Sequence, residues 1–294
     1  MKRLIKGLLQ TVLLLILSFR KQLENSTGKE AQILLSLKYK EMLANGMPLP
    51  SFDEVGFRKY SGADEDGILL YIFSLIGTTN KKFVDIGCAT GVIGSNTANL
   101  IIHHGWTGLM IDSDETLIKA GRIFYANCPD TRNFPPALLA TQVTAENINP
   151  ILRKYDLSNE IDLLSLDIDG IDYWIWKAID CIRPRVVVLE YQAVWGPEKS
   201  VTVPYQPDFK AGYSGMFGIY SGASLSAFVK LGREKGYRLV GCHRYGYNAF
   251  FVRAEVGQNI LPEIPPSECF KHPFTKHAME EFLPKAADYE WAEV

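Results

Sequence analysis

The chain has 294 residues with 31 basic and 33 acidic side chains and a net charge of −2, which excludes a broad electrostatic attraction to nucleic acid. Apolar residues make up 47%, enough to bury a core and too many for a disordered chain. The five cysteines (Cys88, Cys128, Cys181, Cys242 and Cys269) include no C-x-x-C pair, which argues against a thiolate zinc site and a disulfide framework and makes a reducing, cytoplasmic setting the default.

Residues 1–50 read as a helical extension. Lys2, Arg3 and Lys6 precede an apolar run from Gly7 to Phe19 that is too short for an ordinary membrane span. Three readings stand for residues 1–20: a helix packed on the domain or on a second subunit, a membrane-surface anchor, or an uncleaved export signal. Residues 21–45 also read as helix, with Leu34, Leu35, Leu37 and Met42 available for an apolar face and Asn45-Gly46 as its stop.

One α/β domain is expected over residues 51–256, followed by a tail over 257–294. Asp64, Glu65 and Asp66 open an apolar helix. They either favour its N-terminus or, through Glu65, point a carboxylate at a pocket. The stretch KFVDIGCATG (residues 82–91) then reads as a buried strand running into a turn. Gly87 and Gly91 permit close approach and dihedrals that side chains forbid, and Cys88 lies inside the same turn. A helix follows from about Ser95. The next strand, TGLMI, delivers Asp112 at its end, where a carboxylate can accept both hydroxyls of a ribose. Asp114 and Glu115 suit the cap and first turn of the following helix.

A third strand is expected over Leu138–Val143. A fourth, Ile161–Ser165, ends in Asp167-Ile168-Asp169-Gly170. Two carboxylates two residues apart on extended chain face one side, at the strand end where doubly wound sheets bind ligands. A fifth strand, VVVL, delivers Glu190, which is costly unless it emerges into a polar site or is paired. Asp167 and Glu190 should therefore come from neighbouring strand ends. There they either share a hard divalent ion such as Mg2+ or flank an acceptor hydroxyl. Residues 192–223 carry Trp195, Tyr205, Phe209, Tyr213, Phe217 and Tyr220 with little periodicity. They read as a lid or acceptor-binding insertion, or equally as a homo-oligomer interface. Two strands, Tyr237–Cys242 and Asn248–Val252, close the domain around His243, whose ordinary pKa suits proton transfer.

FVDIGCATG followed by LMIDSD resembles the first two motifs of class I S-adenosylmethionine-dependent methyltransferases. EDGILLYIF upstream, SLDIDGIDYWIWKAI and PRVVVLEY extend that resemblance, over roughly residues 54–254, to the FkbM-like branch. The resemblance implies a Rossmann-like, doubly wound, mostly parallel seven-stranded sheet with an antiparallel last strand. It also implies that Asp85, Gly87, Cys88, Gly91, Asp112 and Asp167 hold the methyl donor, with Glu146 at the adenine edge unless it caps the next helix. Methyl transfer to a small molecule, foremost to the oxygen of a sugar or natural-product hydroxyl, is the expected activity. Asp167 and Glu190 are then the proton acceptors and His243 the reserve base. Two rivals stand beside it: a binding protein that kept the fold without the chemistry, and a nicotinamide-dependent oxidoreductase, against which the missing third glycine counts.

Overall fold

The computed structural model describes residues 28–215 and 217–294. The regular elements that place the site are, in chain order, α1 (Lys29–Ala44), α2 (Glu65–Ile76), β1 (Lys82–Ile86), α3 (Ala98–His104), β2 (Thr107–Asp112), α4 (Glu115–Asn127), β3 (Ala137–Ala140) and α5 (Ile148–Lys154). They continue with β4 (Asn159–Leu166), α6 (Asp172–Ala178), β5 (Ile182–Glu190), α7 (Leu225–Glu234), β6 (Tyr237–Cys242), β7 (Asn248–Arg253) and α8 (Pro273–Glu281).

These strands form one seven-stranded sheet in the order β3–β2–β1–β4–β5–β7–β6. β1 to β5 run parallel, and β7 is antiparallel to both of its neighbours. This is the Rossmann-like, mostly parallel sheet with an antiparallel closing strand that the methyltransferase resemblance implies. Both faces are covered, which is why the central strands carry apolar residues toward both faces rather than at alternate positions only. Neighbours in sequence go to opposite faces. Leu164 and Phe251 join Trp176 and Phe228 in one core, while Leu163 and Phe250 join Phe73 and Phe83 in the other.

A charge is buried at the opposite end of the sheet from the site. Asp162 in β4 is fully buried and lies 3.1 Å from the Arg185 guanidinium of β5. Its carboxylate also accepts the backbone N–H groups of Thr79, Asn80 and Lys81, and Arg185 donates to the carbonyls of Ile76 and Gly77. The pair thus locks the α2–β1 connection onto the amino ends of the strands.

Three details differ from expectation. In α1 the residues that face inward are Gln32 and Tyr39, while Leu34 and Leu37 are 67% and 57% exposed. Gln32 donates to Asn99 (3.0 Å), and Tyr39 packs edge-on against Tyr71, so a polar contact and one aromatic ring anchor the helix. β3 stops at Ala140, short of Val143. The 192–223 insertion has structure of its own: a 3-10 turn at Ala193–Trp195, a hairpin of Gly212–Ser214 with Phe217–Tyr220, and a short strand, Val201–Thr202, paired with Ala292–Glu293 of the tail. The tail therefore runs back across the insertion. No described helix is long and apolar enough to cross a membrane, and the expected surface contact through residues 1–20 lies outside the described residues.

Candidate active site

β1 bends at Gly87, where φ is +86° and an added Cβ would lie 1.5 Å from the carbonyl oxygen of Asp167. The chain leaving β4 crosses the tip of β1 here, and the Asp167 N–H donates to the Ile86 carbonyl (2.9 Å). Only glycine fits. This crossing brings the turn after β1 and the Asp167-Ile168-Asp169-Gly170 segment to the two walls of one crevice, at the switch point of the sheet.

The crevice is a cavity of about 540 Å³. Its walls come from the tips of β1 (Ile86, Gly87, Ala89), β2 (Ile111–Ser113) and β4 (Asp167–Ile171) and from Thr141–Val143 after β3. Pro207–Lys210 of the insertion reach over it, held in part by Gln142 donating to the Pro207 carbonyl. The volume falls in the range of cofactor- and nucleoside-sized sites.

Asp112 lies on this cavity, half-buried at the end of β2. One of its oxygens accepts the Ala89 N–H (2.8 Å) and the other accepts the Asp114 N–H (2.9 Å). Two backbone donors thus fix the carboxylate while each oxygen retains a lone pair for a ligand. Ala89 holds φ at +51° to make its bond, a strain that non-glycine residues seldom carry outside a constrained site.

A second cavity, of about 260 Å³, adjoins the first, and Asp169 lines both. Glu190, Tyr191 and Gln192 at the end of β5 form one side. Tyr213, Phe217, Tyr247 and Phe274 form much of the rest. Asp167, Asp169 and Glu190 each bring a carboxylate oxygen within 4.8 Å of the others. Burial pushes the Asp167 carboxyl up to about 8, helped by the like charges of Asp172 and Asp169. Burial, and then Asp167, push Glu190 well above the carboxylate range. Carboxylate oxygens of the two lie within 4.8 Å of one another, so the pair favours holding a proton over carrying two full charges.

The other residues singled out in the sequence fall elsewhere. Asp85 does not line the cavity. It is buried beneath the turn, accepting from Ser95 Oγ (2.9 Å) and Thr97 Oγ1 (2.7 Å), and so shapes the turn from below. Cys88 is buried in the core with its thiol pushed up by desolvation, and it does not line the crevice. Gly91 (φ +69°) serves packing: an added Cβ would meet the Met110 side chain at 2.8 Å. Glu146 is exposed and accepts from Tyr205 (2.6 Å), because β3 ends early and Thr141–Val143 take the place beside the cavity.

His243 is fully buried. Its Nδ1 accepts the Asn248 N–H (3.3 Å), its ring packs against Tyr247, and burial lowers its pKa to about 4. It lines neither cavity and is neutral at ordinary pH, so it is no base for this site. Glu65 lies beside it, fully buried, accepting from Asn248 Nδ2 (2.8 Å) and the Ala63 N–H (2.8 Å). It braces β7 instead of pointing at the pocket.

Sequence reasoning missed the lining of the second cavity from Tyr247 and Phe274. Nothing local marks Phe274, which arrives through the fold of the tail. Tyr247 stood in a turn where only His243 drew notice.

No family model matches the chain, and no curated protein matches it. Solved structures with a similar arrangement include a S-adenosylmethionine-dependent methyltransferase from Clostridium acetobutylicum (11% identity, 64% of this chain and 90% of that one, TM-score 0.40). Another is magnesium protoporphyrin IX methyltransferase from Synechocystis with bound S-adenosylmethionine (14%, 64% and 76%, TM-score 0.38). A third is the methyltransferase domain of bacterial CtHen1 (15%, 64% and 95%, TM-score 0.42). TM-scores this low carry no argument about chemistry. The fold rests on the strand order, and function has to be argued from the site.

Proposed function

We propose that the protein transfers a methyl group from S-adenosylmethionine to a small-molecule acceptor, foremost to a hydroxyl oxygen, as a member of the FkbM-like branch. The observation that carries this reading is the placement of Asp112. A carboxylate clamped by two backbone N–H groups stands at the tip of β2, on a nucleoside-sized crevice opened by the Gly87 crossing. That arrangement suits a ribose diol, and a second cavity meets the first where the acceptor would have to enter.

The donor's sulfonium supplies an activated methyl group. The chain supplies binding, alignment and a proton acceptor. The Gly87 turn lets backbone approach the nucleoside, and Asp112 holds its sugar. Thr141–Val143 and the Pro207–Lys210 cover flank the rest of the crevice. As the acceptor oxygen attacks, the new C–O bond forms and the C–S bond breaks, its electron pair staying on sulfur. The hydroxyl proton passes to the Asp167–Glu190 pair, which can take it because its carboxyls titrate near or above neutrality.

A second reading of the same carboxylates is favoured by their spacing. Asp167, Asp169 and Glu190 can offer three oxygens to a hard divalent cation such as Mg2+, which would stabilise an acceptor oxyanion. The test of the main reading is transfer of labelled methyl from S-adenosylmethionine to a pool of hydroxylated small molecules. Labelled product that disappears in Glu190→Gln supports it, and a chelator arm shows whether a cation takes part. Absence of transfer to every acceptor class offered would favour the binding-protein rival.

A further inference from the structure

The second cavity has an unusual balance of charge. Asp169 and the Asp167–Glu190 pair meet at its inner end, and no Lys, Arg or His stands among the described residues that line it. The charged groups acting most strongly on Asp167 and Glu190 are other carboxylates, Asp169 and Asp172 included. Negative charge in a confined place therefore lacks a protein counter-charge, and such a place rejects anionic ligands.

Much of the rest of the lining is aromatic. Tyr247 and Phe274 meet edge to face at 6.1 Å between centroids, and Phe274 meets Phe217 at 5.7 Å, so the three rings form a continuous surface. The wall is braced from behind: Tyr247 packs on His243 at 3.9 Å, and Phe217 stacks on Phe282 at 4.4 Å. Tyr213 lines the same cavity from the hairpin side. Braced aromatic rings and carboxylates lining one small cavity suit an organic cation, held by the carboxylate charge and by cation–π attraction to the rings. A metal ion would use the carboxylates and leave the rings without a role.

We propose that the acceptor carries a positively charged amine beside its reacting group, seated in the second cavity with the charge on Asp169 and its alkyl face on the Tyr247–Phe274–Phe217 wall. The proposal rests on the methyl-transfer reading for the word acceptor, but its binding chemistry can be tested separately. Anionic small molecules such as sugar phosphates and carboxylic acids are then non-substrates, and neutral polyols are poor ones.

The test titrates the full chain, saturated with S-adenosylhomocysteine, with choline and with its uncharged isostere in which carbon replaces the quaternary nitrogen. Choline should bind about tenfold or more tightly than the isostere. Asp169→Asn, tolerable because asparagine accepts the positive φ of this position, should erase that preference. Phe274→Leu should weaken choline severalfold and leave S-adenosylhomocysteine affinity unchanged. Equal binding of the two probes overturns the proposal, as does binding of Mg2+ alone with choline excluded. Failure of S-adenosylhomocysteine to bind counts against the methyl-donor reading, and the choline comparison, run without it, still decides this one.

Discussion

The backbones of Gly87 and Asp167 are in direct contact at the head of the sheet, so close that a Cβ on Gly87 would sit 1.5 Å from the Asp167 carbonyl oxygen. One residue thereby fixes both the shape of the crevice and the position of Asp167, the proposed proton acceptor. Gly87→Ala has no room and a forbidden dihedral, since neither partner atom is a movable side-chain tip. A loss of about 2–4 kcal/mol in folding stability is expected. Denaturant melts of the variant would check this, and a loss below about 1 kcal/mol would mean that the strand tips separate readily.

The proton shared by Asp167 and Glu190 should appear in the pH dependence of stability. Their folded pKa values lie above the unfolded ones, so the folded chain binds more protons between the two and stability declines as pH rises. Asp66 and Asp172, raised to about 6, account for part of the decline at lower pH. Between about pH 6 and 8 the decline should belong to Asp167, raised to about 8, and its partner Glu190. Thermal melts of the ligand-free protein should show a falling transition temperature across that window, flattened in Glu190→Gln. An unchanged slope in the variant would remove the pair from the account.

Turnover should run the other way. The pair accepts a proton only after losing one, so the rate with a saturating acceptor should rise with pH toward about 8. His243, lowered to about 4 and walled off from both cavities, should contribute nothing to that profile. His243→Gln is expected to shift stability while leaving the apparent pKa of turnover in place, and a displaced profile would restore the histidine to the reaction.

At the far end of the sheet, the Asp162–Arg185 pair offers a control for folding without function. Arg185→Leu leaves a fully buried carboxylate whose remaining donors, the Thr79 hydroxyl and backbone N–H groups, are uncharged, and about 3–5 kcal/mol of stability should be lost. Ligand affinity of the folded fraction should be unaffected. Chemical denaturation paired with a binding titration would separate the two.

The sheet was legible because its central strands are short, mainly apolar runs that end at a glycine turn or a carboxylate, a pattern that parallel strands covered on both faces favour. Asp112 was legible for the same reason, since only a strand tip explains a carboxylate after TGLMI. The proximity of Asp167 to Glu190 follows from adjacent strand ends, whereas the burial that raises both carboxyls depends on the folded chain. Other assignments could not be read from the chain. Asp85 has the residue type of a ligand contact but lies below the turn, where Ser95 and Thr97 satisfy it. Glu146 was displaced when β3 ended at Ala140, three residues before the predicted end. His243 has an ordinary pKa only in water, and sequence gives no measure of the burial that the Tyr247 ring and α2 impose. The aromatic wall joins residues 217, 247 and 274, which only the folded chain brings together.

Calorimetric titration with S-adenosylhomocysteine and, separately, with the reduced nicotinamide dinucleotide tests the central claim most directly. Micromolar binding of S-adenosylhomocysteine is predicted, about 100-fold weaker in Asp112→Ala as two charge-assisted hydrogen bonds to the ribose are lost. Binding of the dinucleotide alone, or S-adenosylhomocysteine affinity that ignores the Asp112 substitution, would contradict it.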